Sequence, residues 1–181
     1  MPFRGKLKFM NYKLLLLLSI VVSFAVSASG QGQWKEYKSA GHQFSTQVPC
    51  EIETSRDNVG TAEAPQVQTF YECSADGVYY NISVNDIAKS AVTDEDLLIA
   101  FQKGMLEGFG GKLLTEKSIT LGSVPGRRVT AGAKLGEIDA LIECLIYKTT
   151  DRIYSVAVVA ATTNKSSDKG KFLTEFKFQN K

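Results

Sequence analysis

The sequence predicts an α+β sandwich, a central antiparallel β-sheet with helices as its packing covers. Three observations predict it. Residues 119–160, ITLGSVPGRRVTAGAKLGEIDALIECLIYKTTDRIYSVAVVA, hold β-rich runs at about Arg127–Ala133, Ile138–Tyr147 and Ile153–Ala160. Gly136 and Thr149-Thr150-Asp151 separate these runs, and connections this short make an antiparallel meander. One long stretch, Thr93 to about Phe109, carries apolar residues at helical spacing, Leu97, Phe101, Met105 and Phe109. The order along the chain is then strands, helix, strands, helix.

The first thirty residues stand outside this fold. Arg4, Lys6, Lys8 and Lys13 precede an apolar run from Leu14 to Val26, and the small residues Ser27, Ala28, Ser29 and Gly30 follow. That is the grammar of a secretory signal peptide, read here as residues 1–28 with cleavage after Ala28. A membrane-spanning helix needs roughly 20 apolar residues, and this run is shorter. The expectation is therefore a cleaved leader, no stable membrane anchor, and one domain over residues 34–178.

Within that domain, Trp34–Tyr37 reads as a first strand, turned at Gly41, and Gln43–Val48 as a second, ended by Pro49. Glu51–Ala64 is polar and reads as a protruding hairpin whose return arm is Gln66–Cys73. Asp76-Gly77 is a two-residue hairpin signal. Val78, Tyr80, Ile82 and Val84 then alternate with Tyr79, Asn81, Ser83 and Asn85, the pattern of a half-buried strand. Thr93 caps the helix, with Asp96 at the capping-box position, and Gly108, Gly110 and Gly111 end it. Lys112–Leu121 is the next strand, and Pro125-Gly126 reads as a turn delivering Arg127-Arg128 into the meander. Ser167 or Asp168 caps a last short helix that buries Phe172, Leu173 and Phe176.

Composition narrows the function classes. Loss of the leader removes four of 21 Lys and Arg, leaving 17 against 19 Asp and Glu, so no basic surplus argues for nucleic acid. Cys50, Cys73 and Cys144 are the three cysteines. Export permits a disulfide. Cys50 shares strand parity with Phe44 and Val48, and Cys73 with Val67 and Tyr71, so a Cys50–Cys73 bridge across one antiparallel pair is one reading. Three buried free thiols are the other. Cys144 shares parity with Ile138, Ala140, Ile142 and Ile146 and reads as core.

Taken together, Trp34, the run Phe44-Ser-Thr-Gln-Val-Pro49, Tyr80-Asn-Ile-Ser-Val-Asn-Asp86, Leu121-Gly-x-x-Pro-Gly-Arg127, Arg152-Ile-Tyr154 and Phe172-x-x-x-Phe176 resemble the PsbP-like superfamily, in its bacterial exported branch. The resemblance implies an α/β/α sandwich, helices covering both faces of the central sheet, and action by binding protein partners. Two positions depart from it, Cys50 after the Val-Pro turn and Glu175 before the last phenylalanine.

Sites for chemistry are few. His42 is the single histidine, and its place beside Gly41 reads as a turn residue with a solvated ring. Gly108-Phe-Gly-Gly-Lys112 lacks the spacing of a phosphate loop. Asp94, Glu95 and Asp96 suit the positive end of a helix dipole. Asn81-Ile-Ser and Asn164-Lys-Ser match the glycosylation sequon. Arg127 and Arg128 are candidate binding residues for an anionic ligand or partner: adjacent strand residues point to opposite faces, so one can pair internally while the other is exposed. The sequence thus predicts an exported, non-enzymatic module for a protein partner, with no metal and no cofactor. The alternatives are a small-molecule or lipid carrier, its cleft lined by Tyr79, Tyr80, Phe101 and Phe109, or a small extracytoplasmic hydrolase using His42 or clustered carboxylates.

Overall fold

The structure, a computed structural model, describes residues 33–58, 66–87, 93–166 and 168–179. The expected leader lies outside the described residues. Among the described residues ten strands follow one another: β1 Lys35–Ser39, β2 Phe44–Val48, β3 Glu53–Asn58, β4 Val67–Ala75, β5 Val78–Asp86, β6 Lys112–Leu121, β7 Val124–Leu135, β8 Ile138–Lys148, β9 Arg152–Ala161 and β10 Lys177–Phe178. Helix α1, Asp94–Phe109, separates β5 from β6, and a one-turn helix α2, Lys171–Thr174, precedes β10. Seven strands form one antiparallel sheet in the order β3-β4-β5-β9-β8-β7-β6, and three form a second in the order β1-β2-β10.

Turn chemistry sets the large sheet. Asp76 and Gly77 both take positive φ, 52° and 71°, so Ala75 faces Val78 across a two-residue loop. Gly122, at φ 60°, begins the loop that pairs Leu121 with Val124. The connection is therefore Gly122-Ser123, and the expected Pro125-Gly126 turn lies inside β7 instead. A Cβ on Gly126 would strike the Ile146 carbonyl oxygen and the Tyr147 ring. That glycine serves close approach between strands rather than a change of direction.

Each strand presents alternate residues to the two faces. One face carries Val129, Ala131, Ile142, Cys144, Ile146 and Val159 under Leu98 and Leu106 of α1. The other carries Ile82, Val84, Tyr147, Tyr154 and Val156 against Phe44, Val48, Phe172 and Phe176. Strand β9 is buried on both faces from Ile153 to Ala160, which is why it reads as a nearly continuous apolar run.

Among the described residues, helices do not cover both faces. Helix α1 lies over one face only; the second is covered by the β1-β2-β10 sheet with α2 at its side. Four residues of α2 bury only Phe172 and Leu173, and Phe44 and Val48 of β2 complete the layer. Thr46 Oγ1 joins the two covers by donating to the Phe172 carbonyl at 2.7 Å. Ser167 is outside the described residues, and Gly170 rather than a polar side chain precedes α2.

Helix α1 begins as expected. The Thr93 hydroxyl accepts from the Asp96 amide at 3.2 Å, three acidic residues occupy the first turn, and Gly110 closes the helix at φ 60°, a cap worth about 1 kcal/mol. Its buried stripe is displaced by one position from the sequence reading. Leu98, Gln102 and Leu106 are buried, while Leu97, Phe101, Met105 and Phe109 lie half-buried along its flank. The glutamine sits on the buried side because its amide is hydrogen-bonded there to Arg127 and Glu116.

Candidate functional site

Strand β7 aims Arg127 and Arg128 at opposite faces of the sheet. Arg127 is buried under α1. Its Nε donates to Gln102 Oε1 at 2.9 Å, its Nη1 pairs with Glu95, and its Nη2 lies 2.9 Å from Glu116 Oε2. Gln102 Nε2 also donates to Glu116, at 2.5 Å. Hydrogen bonds from Gln102 and Arg127 hold the Glu116 carboxyl below the usual carboxylate range. Its donors spent on Gln102, Glu95 and Glu116, Arg127 clamps α1 to β6 and β7.

Arg128 is half-exposed on the opposite face, 3.4 Å from Glu143 Oε2. Its cross-strand neighbour on that face is Lys117 of β6. Like charges placed directly opposite one another in a sheet are unfavourable.

The ring of His42 is buried, not solvated as expected at a turn. Its Nδ1 is 2.5 Å from the Tyr71 hydroxyl, which is also 2.9 Å from Ser39 Oγ. The His42 carbonyl accepts from the Tyr154 hydroxyl at 2.9 Å. Burial and then the Arg152 charge, with Arg56 adding to it and Asp86 opposing, lower the His42 pKa below 6.5. This network ties the β1–β2 turn to β4 and β9; the sequence could not show it, because its members are up to 112 residues apart.

Cys50 and Cys73 form a disulfide, with Cα atoms 5.9 Å apart. It fastens the chain just after β2 to β4 and so joins the two sheets at one side. Cys144 is a free buried thiol beside Ser155 Oγ, its pKa pushed up to about 12 by burial. Among the described residues no group of three or more His, Cys, Asp or Glu is arranged to hold a metal ion.

Two further features lie on the surface. The β7–β8 turn, Gly77 of the β4–β5 turn and the end of β9 enclose an apolar depression of about 480 Å³, with Leu135, Ile138, Ala140 and Val159 in its walls. Of the residues expected to line a carrier cleft, Tyr79, Phe101 and Phe109 are half-buried on the α1 side, whereas Tyr80 points into the opposite core. Tyr79 is tied to Glu72 there, and burial together with that carboxylate raises its pKa.

The second feature is β6. It forms one edge of the seven-stranded sheet, with β7 on its inner side and no described strand on its outer side. All of its residues but Ile119 and Leu121 are exposed. Leu113 and Leu114 are exposed apolar residues on it, and Ile99 of α1 is another. Ile99 lies four residues after Glu95 and three before Gln102, on the flank of α1 that reaches Arg127 and Glu116, and so above β6.

This fold is PsbP-like. The solution structure of cyanobacterial PsbP (CyanoP) from Synechocystis sp. PCC 6803 superimposes with a TM-score of 0.55 at 9% sequence identity, over 85% of this chain and 97% of that one. A protein of unknown function from Pseudomonas aeruginosa gives 0.45 at 9% identity, over 79% of this chain and 93% of that one. A Bacteroides thetaiotaomicron structure gives 0.45 at 12% identity, over 84% of this chain and 50% of that one. No protein-family model and no curated protein matches the sequence. The resemblance drawn from the sequence motifs thus holds for the fold.

Proposed function

We propose that this chain is an exported, non-enzymatic module that binds a protein partner. The observation that carries the reading is the outer edge of β6: ten residues long, exposed, unpaired among the described strands, and flanked by Ile99, Leu113 and Leu114. An edge of that length is a template for another chain. Export is supported by the three-part leader pattern and by the Cys50–Cys73 disulfide, which suits an oxidising compartment. A non-enzymatic role is supported by the engagement of His42, Arg127 and Cys144 in internal contacts.

The test is crosslinking of the tagged mature chain in its own extracytoplasmic fraction, with mass identification of what is bound. One protein recovered at near-equal stoichiometry supports the reading; recovery of the chain alone overturns it. The 480 Å³ apolar depression favours a second reading, a carrier of a small apolar molecule. Native mass spectrometry of the purified chain, showing a retained small molecule and no protein, would favour that instead.

A further inference from the structure

We infer that the partner is held by strand addition: an extended segment of a different polypeptide pairs with the outer edge of β6 and places a carboxylate beside Lys117 and Arg128. The inference rests on the protein-binding reading above and specifies its chemistry.

Backbone geometry comes first. Leu121 and Val124 flank a two-residue turn, so they form a hydrogen-bonded pair, and pairs alternate along an antiparallel ladder from there. Ile119 and Lys117 therefore bond inward to β7, while Thr120, Ser118 and Glu116 turn their amides and carbonyls outward. The ladder is regular from Thr115 to Leu121, the one irregularity lying between Leu113 and Thr115. Seven residues remain as a straight, open edge.

Charge selects the occupant. Lys117 and Arg128 are cross-strand neighbours on the face away from α1. Glu143 reaches Arg128 at 3.4 Å, and no described carboxylate pairs with Lys117. A carboxylate on an added strand, next to Lys117 on that face, relieves the repulsion. A second copy pairing through its seven-stranded sheet does not supply it. With faces aligned, the copy's β6 offers Thr115, Lys117 and Ile119, and β3, the other edge of its seven-stranded sheet, offers Thr54, Arg56 and Asn58. Both bring more positive charge. On the edge of the three-stranded sheet, Glu36 of β1 is already paired with Lys38 at 3.0 Å. On the α1 side, Ile99 stands ready for an apolar side chain of the same added strand.

The experiment places a photoreactive amino acid at Thr115, Ser118 or Thr120 of the mature chain, and at Ser55 of β3 as the opposite-edge control. Crosslinked sites are mapped by mass spectrometry. The expected result is that the three β6 positions label one short segment of one polypeptide, in steps that track along a paired strand and with an acidic residue near Lys117, while Ser55 does not. With the probe at Thr115, Ser118→Pro removes an outward amide without touching the β6–β7 ladder, and should cut the yield about tenfold at unchanged melting temperature. Lys117→Glu should do the same and Lys117→Arg should not; if Ser118→Pro unfolds the chain, the lysine pair decides. A partner labelled from Ser55 alone, or full yield with Ser118→Pro and Lys117→Glu, overturns strand addition and leaves the binding-module reading standing. Labelling of nothing from any position overturns both.

Discussion

Replacing Gly126 by alanine tests how tightly β7 and β8 are pressed together. Gly126 faces Tyr147 across the ladder, and the Tyr147 ring folds over it. An added Cβ would stand 2.5 Å from Tyr147 Cδ1 and overlap the Ile146 carbonyl oxygen. The oxygen belongs to the backbone of an interior strand and cannot withdraw without breaking the ladder. The ring cannot withdraw freely either: it stacks on Phe176 with centroids 5.9 Å apart and planes 5° from parallel, and meets Phe178 at 5.8 Å. Overpacking of this kind costs about 1–3 kcal/mol, against a gain of about 0.4–1 kcal/mol from the less flexible unfolded chain. The difference spans about 0–2.6 kcal/mol, and a clash with backbone puts the loss in the upper half, about 1.3–2.6 kcal/mol, a fall of about 3–10 °C in melting temperature for a domain of this size.

Gly132 is the internal control. It lies on the same strand, but an added Cβ there meets only Leu114 Cδ1, at 3.8 Å. Gly132→Ala should therefore keep the entropic gain and melt at the wild-type temperature or slightly above. Thermal melts of both variants, followed by circular dichroism on the mature chain, decide the matter. A Gly126→Ala variant that melts with or above wild type, or an equal loss at both glycines, would refute the reasoning.

Three other expectations follow from the contacts above. Replacing Cys50 and Cys73 together by alanine should lower stability by about 3 kcal/mol, since the bond closes a loop with a sequence separation of 23, measured as a shift in the urea midpoint. Because burial holds the His42 pKa below its unfolded value of 6.5, the unfolded chain binds the proton first on acidification. Stability should be full above about pH 6.5 and fall as pH drops from there through the lowered folded value, a slope that urea titrations between pH 7.5 and 5 should find in wild type and not in His42→Gln. Arg127→Ala leaves the buried Gln102 carbonyl without its donor and should cost about 1–3 kcal/mol, whereas Arg128→Ala should stay within about 0.5 kcal/mol; equal urea midpoints for the two would contradict the separation of roles.

The parts of the fold legible in the sequence are those set by local chemistry. Asp76-Gly77 and Gly136 mark turns by positive φ, Thr93 and Gly110 mark the ends of α1, and alternation marks β5. The second layer was not legible, because β10 is two residues long and pairs with β2, which lies more than 130 residues earlier. No periodicity can show in so short a strand, and Phe176, four residues after Phe172, reads as the buried side of a helix. The helix stripe was misplaced by one residue for a related reason. Gln102 counts as polar in any pattern, yet it is buried because Arg127 of β7 and Glu116 of β6 satisfy its amide. Pro125-Gly126 looked like a turn because glycine after proline usually marks one; the constraint was an aromatic ring on the next strand. Of the candidate binding pair, the division into one internal and one exposed arginine was legible from strand parity alone. Which of the two is exposed depends on where α1 lies, and that is a tertiary fact.

The sheet's two edges differ in a way that bears on function. Strand β3 is six residues, wholly polar, and carries Glu53 opposite Glu72. It also lies next to the Cys50–Cys73 bond, which braces that side of the molecule. Short, charged edges are how sheets avoid pairing with other chains. Strand β6 is longer and carries apolar Leu113 and Leu114, and its side toward α1 is stiffened by Arg127 bonding to both Glu116 and Glu95. Rigidity matters here because an edge ordered before binding loses little conformational freedom when a second chain arrives. If a strand adds at this edge, the charges on β6 act less as a general deterrent than as a filter. Lys117 beside Arg128 would then disfavour a basic segment and favour an acidic one. A buried arginine that organises the edge and an exposed one that reads the occupant would give the two adjacent residues separate parts in one binding event.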